Sequence, residues 1–282
     1  GNVQIVLGGI LLLCLGTYVI GGFVLPGGFK WSTFVADGFF IHRSVGANIT
    51  KNLNTIALVY CAYIGYEVIA HDAEEAENPN RNIPIAILVS LTLCTTLYVL
   101  TALVTLGTVP WQQVAGSETA LTDAVKHFMP RWGVPMMAVA GMIATLTSVN
   151  AALLSGTREA LTLGRSGLWP RFMSQLSRFR TPYLACWVIG GITCLVASVG
   201  LVDFLSYVSS AGFLFVLFWS NLAMIRLRKI HPDAARPFKT PLFPLTPLLA
   251  VLTCFMVIGF ASPQSLLFGA GVLAICAIYY YT

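Results

Sequence analysis

The sequence predicts an all-α integral membrane protein, a polytopic bundle of about eight transmembrane helices. Three observations predict it. Only 10% of the 282 residues are charged and 57% are hydrophobic, whereas a soluble domain carries about a quarter charged residues. Long stretches hold no charge at all: 1–29, 82–117, 132–157, 181–202, 204–225 and 240–282. The basic residues that remain are concentrated between alternate stretches.

A helix needs about 20 apolar residues to cross a hydrocarbon core of about 30 Å. On that scale the expected spans are about 3–24, 53–71, 83–108, 133–157, 182–201, 204–225, 245–261 and 265–281. The first opens without a basic region and without Met at position 1, so it does not read as a signal peptide. A segment of a longer chain is expected instead. The second span is the one that carries an acid, Glu67. The last charge-free stretch is long enough for two spans, with Ser262-Pro263-Gln264 as the turn. Between spans, Leu168, Trp169, Phe172, Met173, Leu176 and Phe179 follow helical spacing, with Arg171 and Arg178 among them. That pattern predicts a short helix lying in the membrane interface.

Charge sets an orientation. Eleven of the sixteen Lys and Arg fall in 72–82, 158–181 and 226–239, and the other five fall in the opposite loops. Positive charge marks the cytoplasmic side. Eight spans then place both ends of this segment in the cytoplasm of a multi-pass plasma-membrane protein. The net charge of +5 follows from this bias and calls for no nucleic-acid partner. The seven Cys lie in apolar spans without a CxxC pair; all but Cys61, which belongs to the second span's interruption, read as small buried side chains. No metal-ligand spacing, phosphate loop or nucleophile elbow occurs, so no catalytic residue, metal or cofactor is expected.

The second span breaks the simple pattern. Tyr60-Cys61-Ala62-Tyr63-Ile64-Gly65-Tyr66-Glu67 places a poor helix former and an acid at membrane depth. A broken helix there would leave backbone N–H and C=O groups free to meet a ligand. Glu67 could then carry a proton or sense pH. A Gly that merely allows close packing, beside a structural acid, is the plainer alternative. The fourth span carries Thr145, Thr147, Ser148, Asn150, Ser155 and Thr157. Such hydroxyls line a pathway, ligate a small cation or join helices. Ser206, Tyr207, Ser209 and Ser210 give the sixth span a similar character.

Two runs carry a family resemblance. Cys61 to Glu67, followed by Ala73-Glu74-Glu75-Ala76-Glu77-Asn78-Pro79-Asn80-Arg81-Asn82-Ile83-Pro84, resembles the sixth helix and following loop of the amino acid–polyamine–organocation transporters. Thr147-Ser148-Val149-Asn150-Ala151-Ala152-Leu153-Leu154-Ser155-Gly156-Thr157-Arg158, with Gly164-Arg165-Ser166-Gly167-Leu168-Trp169-Pro170, resembles the family's eighth helix and its exit. In the first motif Asn82 is expected to cap the next helix, with Pro84 in its first turn. The acids at 74, 75 and 77 could face cytoplasmic arginines as an inner gate.

The resemblance implies a single transporter domain built on two inverted five-helix repeats plus two further helices. Residues 1–24 would be the last helix of the first repeat, 53–225 the second repeat, and 240–282 the additional pair. Helices one to four would precede residue 1. The substrate, an amino acid or polyamine-like cation, would lie between broken helices one and six. Tyr60, Cys61, Ala62, Tyr63, Ile64 and Gly65 would then be its wall, with backbone near Cys61, Ala62 and Ile64 receiving the amino group. Cys61 stands where many relatives carry an aromatic gate. The first span lacks the Lys that some relatives use in proton coupling; Gly8 or Gly9 lies near that place. Exchange, sodium coupling through Thr147 and Ser148 beside Asn150, and a proton on Glu67 all remain open. A secondary transporter working by alternating access is the expected function. A non-transporting subunit or sensor that keeps part of this fold is the alternative, and the oligomeric state is open. An enzyme is not expected.

Overall fold

The computed structural model describes residues 2–36, 45–71, 76–178, 181–200, 202–234, 236 and 238–281. Among them every regular element is helical. In chain order these are α1 (Asn2–Val24), α2 (Trp31–Phe34), α3 (Val45–Val59), α4 (Val68–His71), α5 (Pro79–Thr108), α6 (Trp111–Ala115), α7 (Ala120–Phe128), α8 (Gly133–Arg165), α9 (Tyr183–Ser198), α10 (Val202–Ile230), α11 (Leu245–Gly259) and α12 (Pro263–Tyr281). Short 3₁₀ turns cover Tyr60–Tyr63 and Arg171–Ser174.

Every expected span coincides with a helix, the second with α3, a 3₁₀ turn and α4 in succession. Six are long and apolar enough to cross a membrane. The two others, α9 and α11, are 16 and 15 residues long, or about 22–24 Å at 1.5 Å per residue. Pro182 precedes α9 and Gly200, at φ +70°, follows it. Pro244 precedes α11, and Ser262-Pro263 follows. Elsewhere helices outrun the apolar stretches. Lys51 lies within α3, Arg158 and Arg165 within α8, and Arg226, Arg228 and Lys229 within α10. Hydropathy marks membrane depth, whereas the backbone ladder continues until capping or a breaker stops it.

Several local expectations are corrected. Helix α5 begins at Pro79, so Asn82 does not cap it and Pro84 lies inside it. The carbonyl of Asn78 accepts from the amides of Arg81 and Asn82 at 3.0 Å each. Pro79 at the first helical position loses no bond. Asn78 supports this start with φ +49°, a conformation that Asn tolerates. The interfacial helix expected over 168–179 is not continuous. Gly167, at φ +79°, lets the amides of Leu168 and Trp169 turn back onto the Leu163 carbonyl at 3.1 Å. Only Arg171–Ser174 coils, and Phe179 lies outside the described residues. Glu74 and Glu75 of the acidic loop also lie outside them. Of the cysteines only Cys254 is buried; Cys14 and Cys61 are half-buried, and Cys94, Cys186, Cys194 and Cys276 are exposed.

The chain divides into two compact units, Gly1–Ile41 with Leu88–Ser155 and His42–Ile87 with Gly156–Thr282. In the first, Tyr18, Val104, Val125, Phe128 and Met137 form a buried cluster. Tyr18 meets Phe128 edge-on at 5.4 Å and donates to Thr105 Oγ1 at 2.9 Å; Thr105 passes its own hydrogen to the Thr101 carbonyl. Gly22 lies so close to Val104 that a Cβ there would overlap the valine methyls. The adjoining turn is tied down by Phe29 N–H to the Gly22 carbonyl (2.7 Å) and Lys30 N–H to the Gly107 carbonyl (2.9 Å). Gly22→Val is therefore expected to destabilise the protein by about 1–3 kcal/mol through overpacking. A thermal unfolding curve in detergent should show the loss. Gly9→Val, with nothing within 4 Å, is the control. In α7, Lys126 first and then Ser117 hold the Asp123 carboxyl below the usual carboxylate range.

In the second unit α10 is the central helix, packed against α3, α11, α12 and the 60–63 turn. Phe204 meets Phe268 at 5.7 Å and Phe218 meets Phe255 at 6.4 Å. At its far end, Arg228 stacks 4.1 Å from the Phe243 ring centroid and donates to Thr240 at 3.2 Å.

Candidate functional site

The helix break sits where Gly65 and Glu67 foretell it. α3 stops at Val59, and the chain tightens into a 3₁₀ turn over Tyr60–Tyr63. Ile64 is extended at φ −66°, ψ 136°, and Gly65 adopts φ +126°. That value lies in the region that side-chain-bearing residues rarely enter. Helix resumes at Val68. The Ile64 amide bonds the Cys61 carbonyl at 3.2 Å, and the Val68 amide bonds the Gly65 carbonyl at 3.3 Å.

Glu67 has a specific local partner. Its Oε2 accepts the Gly65 N–H at 2.8 Å. The carboxylate thus satisfies an amide that the interrupted ladder leaves without a carbonyl. Sequence reasoning singled out both residues but not the bond between them. Ala62 and Gly65 are exposed, and Tyr60, Cys61, Tyr63, Ile64 and Glu67 are half-buried. The Cys61 thiol donates to the Leu58 carbonyl at 3.4 Å.

Aromatic rings back the break. Phe213 of α10 meets Tyr60 at 6.3 Å and meets Tyr66 edge-on at 6.0 Å. One turn earlier on α10, Ser210 is buried, and its hydroxyl has no partner among the described residues. Phe213 went unnoticed in the sequence because an aromatic in an apolar span gives no signal. The arrangement offers a small ligand an interrupted, partly exposed stretch of backbone beside a semi-aromatic wall.

Thr147, Ser148 and Asn150 belong to the first unit and are described within it. Thr147 donates to the carbonyls of Ile143 (2.8 Å) and Ala144 (3.0 Å), so its hydrogen stays within α8. Ser148 is exposed. Asn150 donates to Gln4 Oε1 at 3.3 Å, and Gln4 Nε2 donates to the Thr147 carbonyl at 3.4 Å. One amide of α1 therefore makes two long hydrogen bonds to α8. Gln4 was not singled out beforehand, because an uncharged amide scarcely lowers the hydropathy of the stretch around it.

Comparison with known proteins bears on the family. A family model described as amino acid permease matches residues 1–280. The branched-chain amino acid permease BcaP of Bacillus subtilis is 30% identical over 258 residues, which is 91% of this chain and 53% of that protein. The methylthioribose transporter of the same organism is 29% identical over 255 residues, 90% of this chain and 52% of that protein. The vacuolar cationic amino acid transporter 4 of Arabidopsis thaliana is 29% identical over 178 residues, 63% of this chain and 30% of that protein. The chain spans about half the length of the first two relatives. The resemblance carried by the two motif runs is borne out, and the alternating apolar helices are those of a multi-pass membrane protein. With a family model covering nearly its whole length, this chain belongs to the amino acid permease family.

Proposed function

We propose that the protein moves an amino acid, or a related polyamine-like cation, across the plasma membrane by alternating access. The observation that carries this reading is the break at 60–67, where Gly65 at φ +126° and the extended Ile64 interrupt a membrane-deep helix. Ala62 and Gly65 are exposed at this break, where a ligand's ammonium or carboxylate group can approach the chain. Tyr60, Cys61, Tyr63 and Ile64 form the rest of the wall. Thr147, Ser148 and Asn150 serve as pathway or ion-coupling groups, and Glu67 is the candidate proton carrier. The skew of basic residues supports both ends of the segment lying in the cytoplasm.

The test is counterflow in sealed proteoliposomes preloaded with unlabelled amino acids. Labelled uptake should exceed that of empty vesicles, and competition by single amino acids should identify the substrate. A folded, inserted protein that shows no uptake and no ligand-dependent shift in melting temperature would support the subunit or sensor reading.

A further inference from the structure

A groove lies away from the break, in the second unit. It has a volume of about 540 Å³ and opens between the end of α8 with its following turn and the end of α12. Leu163, Leu168, Trp169, Ile275, Tyr279 and Tyr280 give it an apolar and aromatic lining. Its first wall is fixed by the turn at Gly167 and by the Leu168 and Trp169 amides bonded to the Leu163 carbonyl. The segment beyond is pinned by Met173, buried against Ala160 and Ala185.

Charge frames that wall. Arg165 ends α8 two residues before Gly167, and Arg171 follows Pro170 directly; both are exposed. Leu168 and Phe172 remain 44% and 45% exposed alongside them. Trp and Tyr at the end of apolar helices mark the headgroup level of a bilayer. An apolar slot whose 167–170 wall is flanked in sequence by two exposed arginines is suited to an anionic lipid. A soluble anion would leave the slot unused, and a neutral lipid would leave the arginines unused. We infer that this groove binds one anionic phospholipid, with an acyl chain between Leu163 and Ile275 and the phosphate held by Arg165 and Arg171.

Cys276 also lines the groove and is exposed, as is Cys194 on α9 outside it. The unmodified full chain therefore carries its own probe and reference. It would be reconstituted in phosphatidylcholine vesicles with and without phosphatidylglycerol, pulsed with N-ethylmaleimide, and read by peptide mass spectrometry. Phosphatidylglycerol should slow labelling of Cys276 relative to Cys194 by about fivefold or more, given the attraction of two basic side chains for an anionic headgroup. Arg165→Gln with Arg171→Gln should abolish that difference and leave labelling in pure phosphatidylcholine unchanged. Equal labelling of Cys276 in the two vesicle types by the unmodified protein would overturn the proposal. So would protection that survives in the double variant.

Discussion

Glu67→Ala is expected to lower counterflow by about tenfold or more, whereas Glu67→Gln should keep most of it. The difference follows from the 2.8 Å bond between Glu67 Oε2 and the Gly65 amide. Alanine removes the acceptor and leaves a backbone donor unpaired at membrane depth. Leaving that donor unsatisfied costs about 1–3 kcal/mol, enough for a tenfold change in the population of the open break. Glutamine keeps a carbonyl oxygen at the same reach and can hold the turn. What it cannot do is release a proton. If Glu67 carries the coupling proton, Glu67→Gln transports with a flat pH profile. If it only staples the break, the profile matches that of the unmodified protein. Cys61, within the same turn and bonded to the Leu58 carbonyl, gives a readout independent of transport. Its thiol labelling rate should change in Glu67→Ala and stay the same in Glu67→Gln. Equal counterflow and equal labelling in all three proteins would remove Glu67 from any role in the break.

The parts of this fold that were legible in the sequence are those set by solvent. A lipid environment forces long charge-free runs, and each such run became a helix. The break was legible because Gly and Glu are both costly in a buried helix and here stand two residues apart. Pairings were not legible. Nothing in an apolar run says that Gln4 reaches Asn150 and the Thr147 carbonyl, or that Phe213 backs Tyr60 and Tyr66. Helix ends were also misread. The start of α5 is set by Pro79 and Asn78, although Asn82 and Pro84 offer the same chemistry one turn later. The segment after α8 has helical spacing of apolar residues, yet Gly167 and Pro170 stop a helix from forming across it. Periodicity reports which face would be buried, and only the backbone decides whether that face exists. The cysteines show the reverse error. Apolar neighbours alone do not imply burial: Cys186 and Cys194 sit in an apolar helix and are exposed.

Gly65→Ala should be about as damaging as Glu67→Ala, for a different reason. Beyond its chain neighbours, no atom of the described residues lies within 4 Å of a Cβ built at Gly65, so the methyl itself has room. The penalty comes from φ +126°, which an L-residue other than glycine rarely adopts. Holding alanine there costs about 1–3 kcal/mol. The chain can avoid that cost by rotating toward ordinary helix or strand values. Either rotation re-aims the Gly65 amide relative to Glu67 Oε2 and changes the geometry of the break. Counterflow should therefore fall by about tenfold or more, with only a modest change in melting temperature, since no packing contact is lost. Gly190→Ala in α9 separates this effect from a general response to added methyls. That glycine also has nothing within 4 Å but sits in regular helix, so alanine there should be neutral or slightly stabilising. Transport by Gly65→Ala at the rate of Gly190→Ala would mean that the unusual backbone at residue 65 is not needed for the transport cycle. The ligand wall would then have to be sought on another helix.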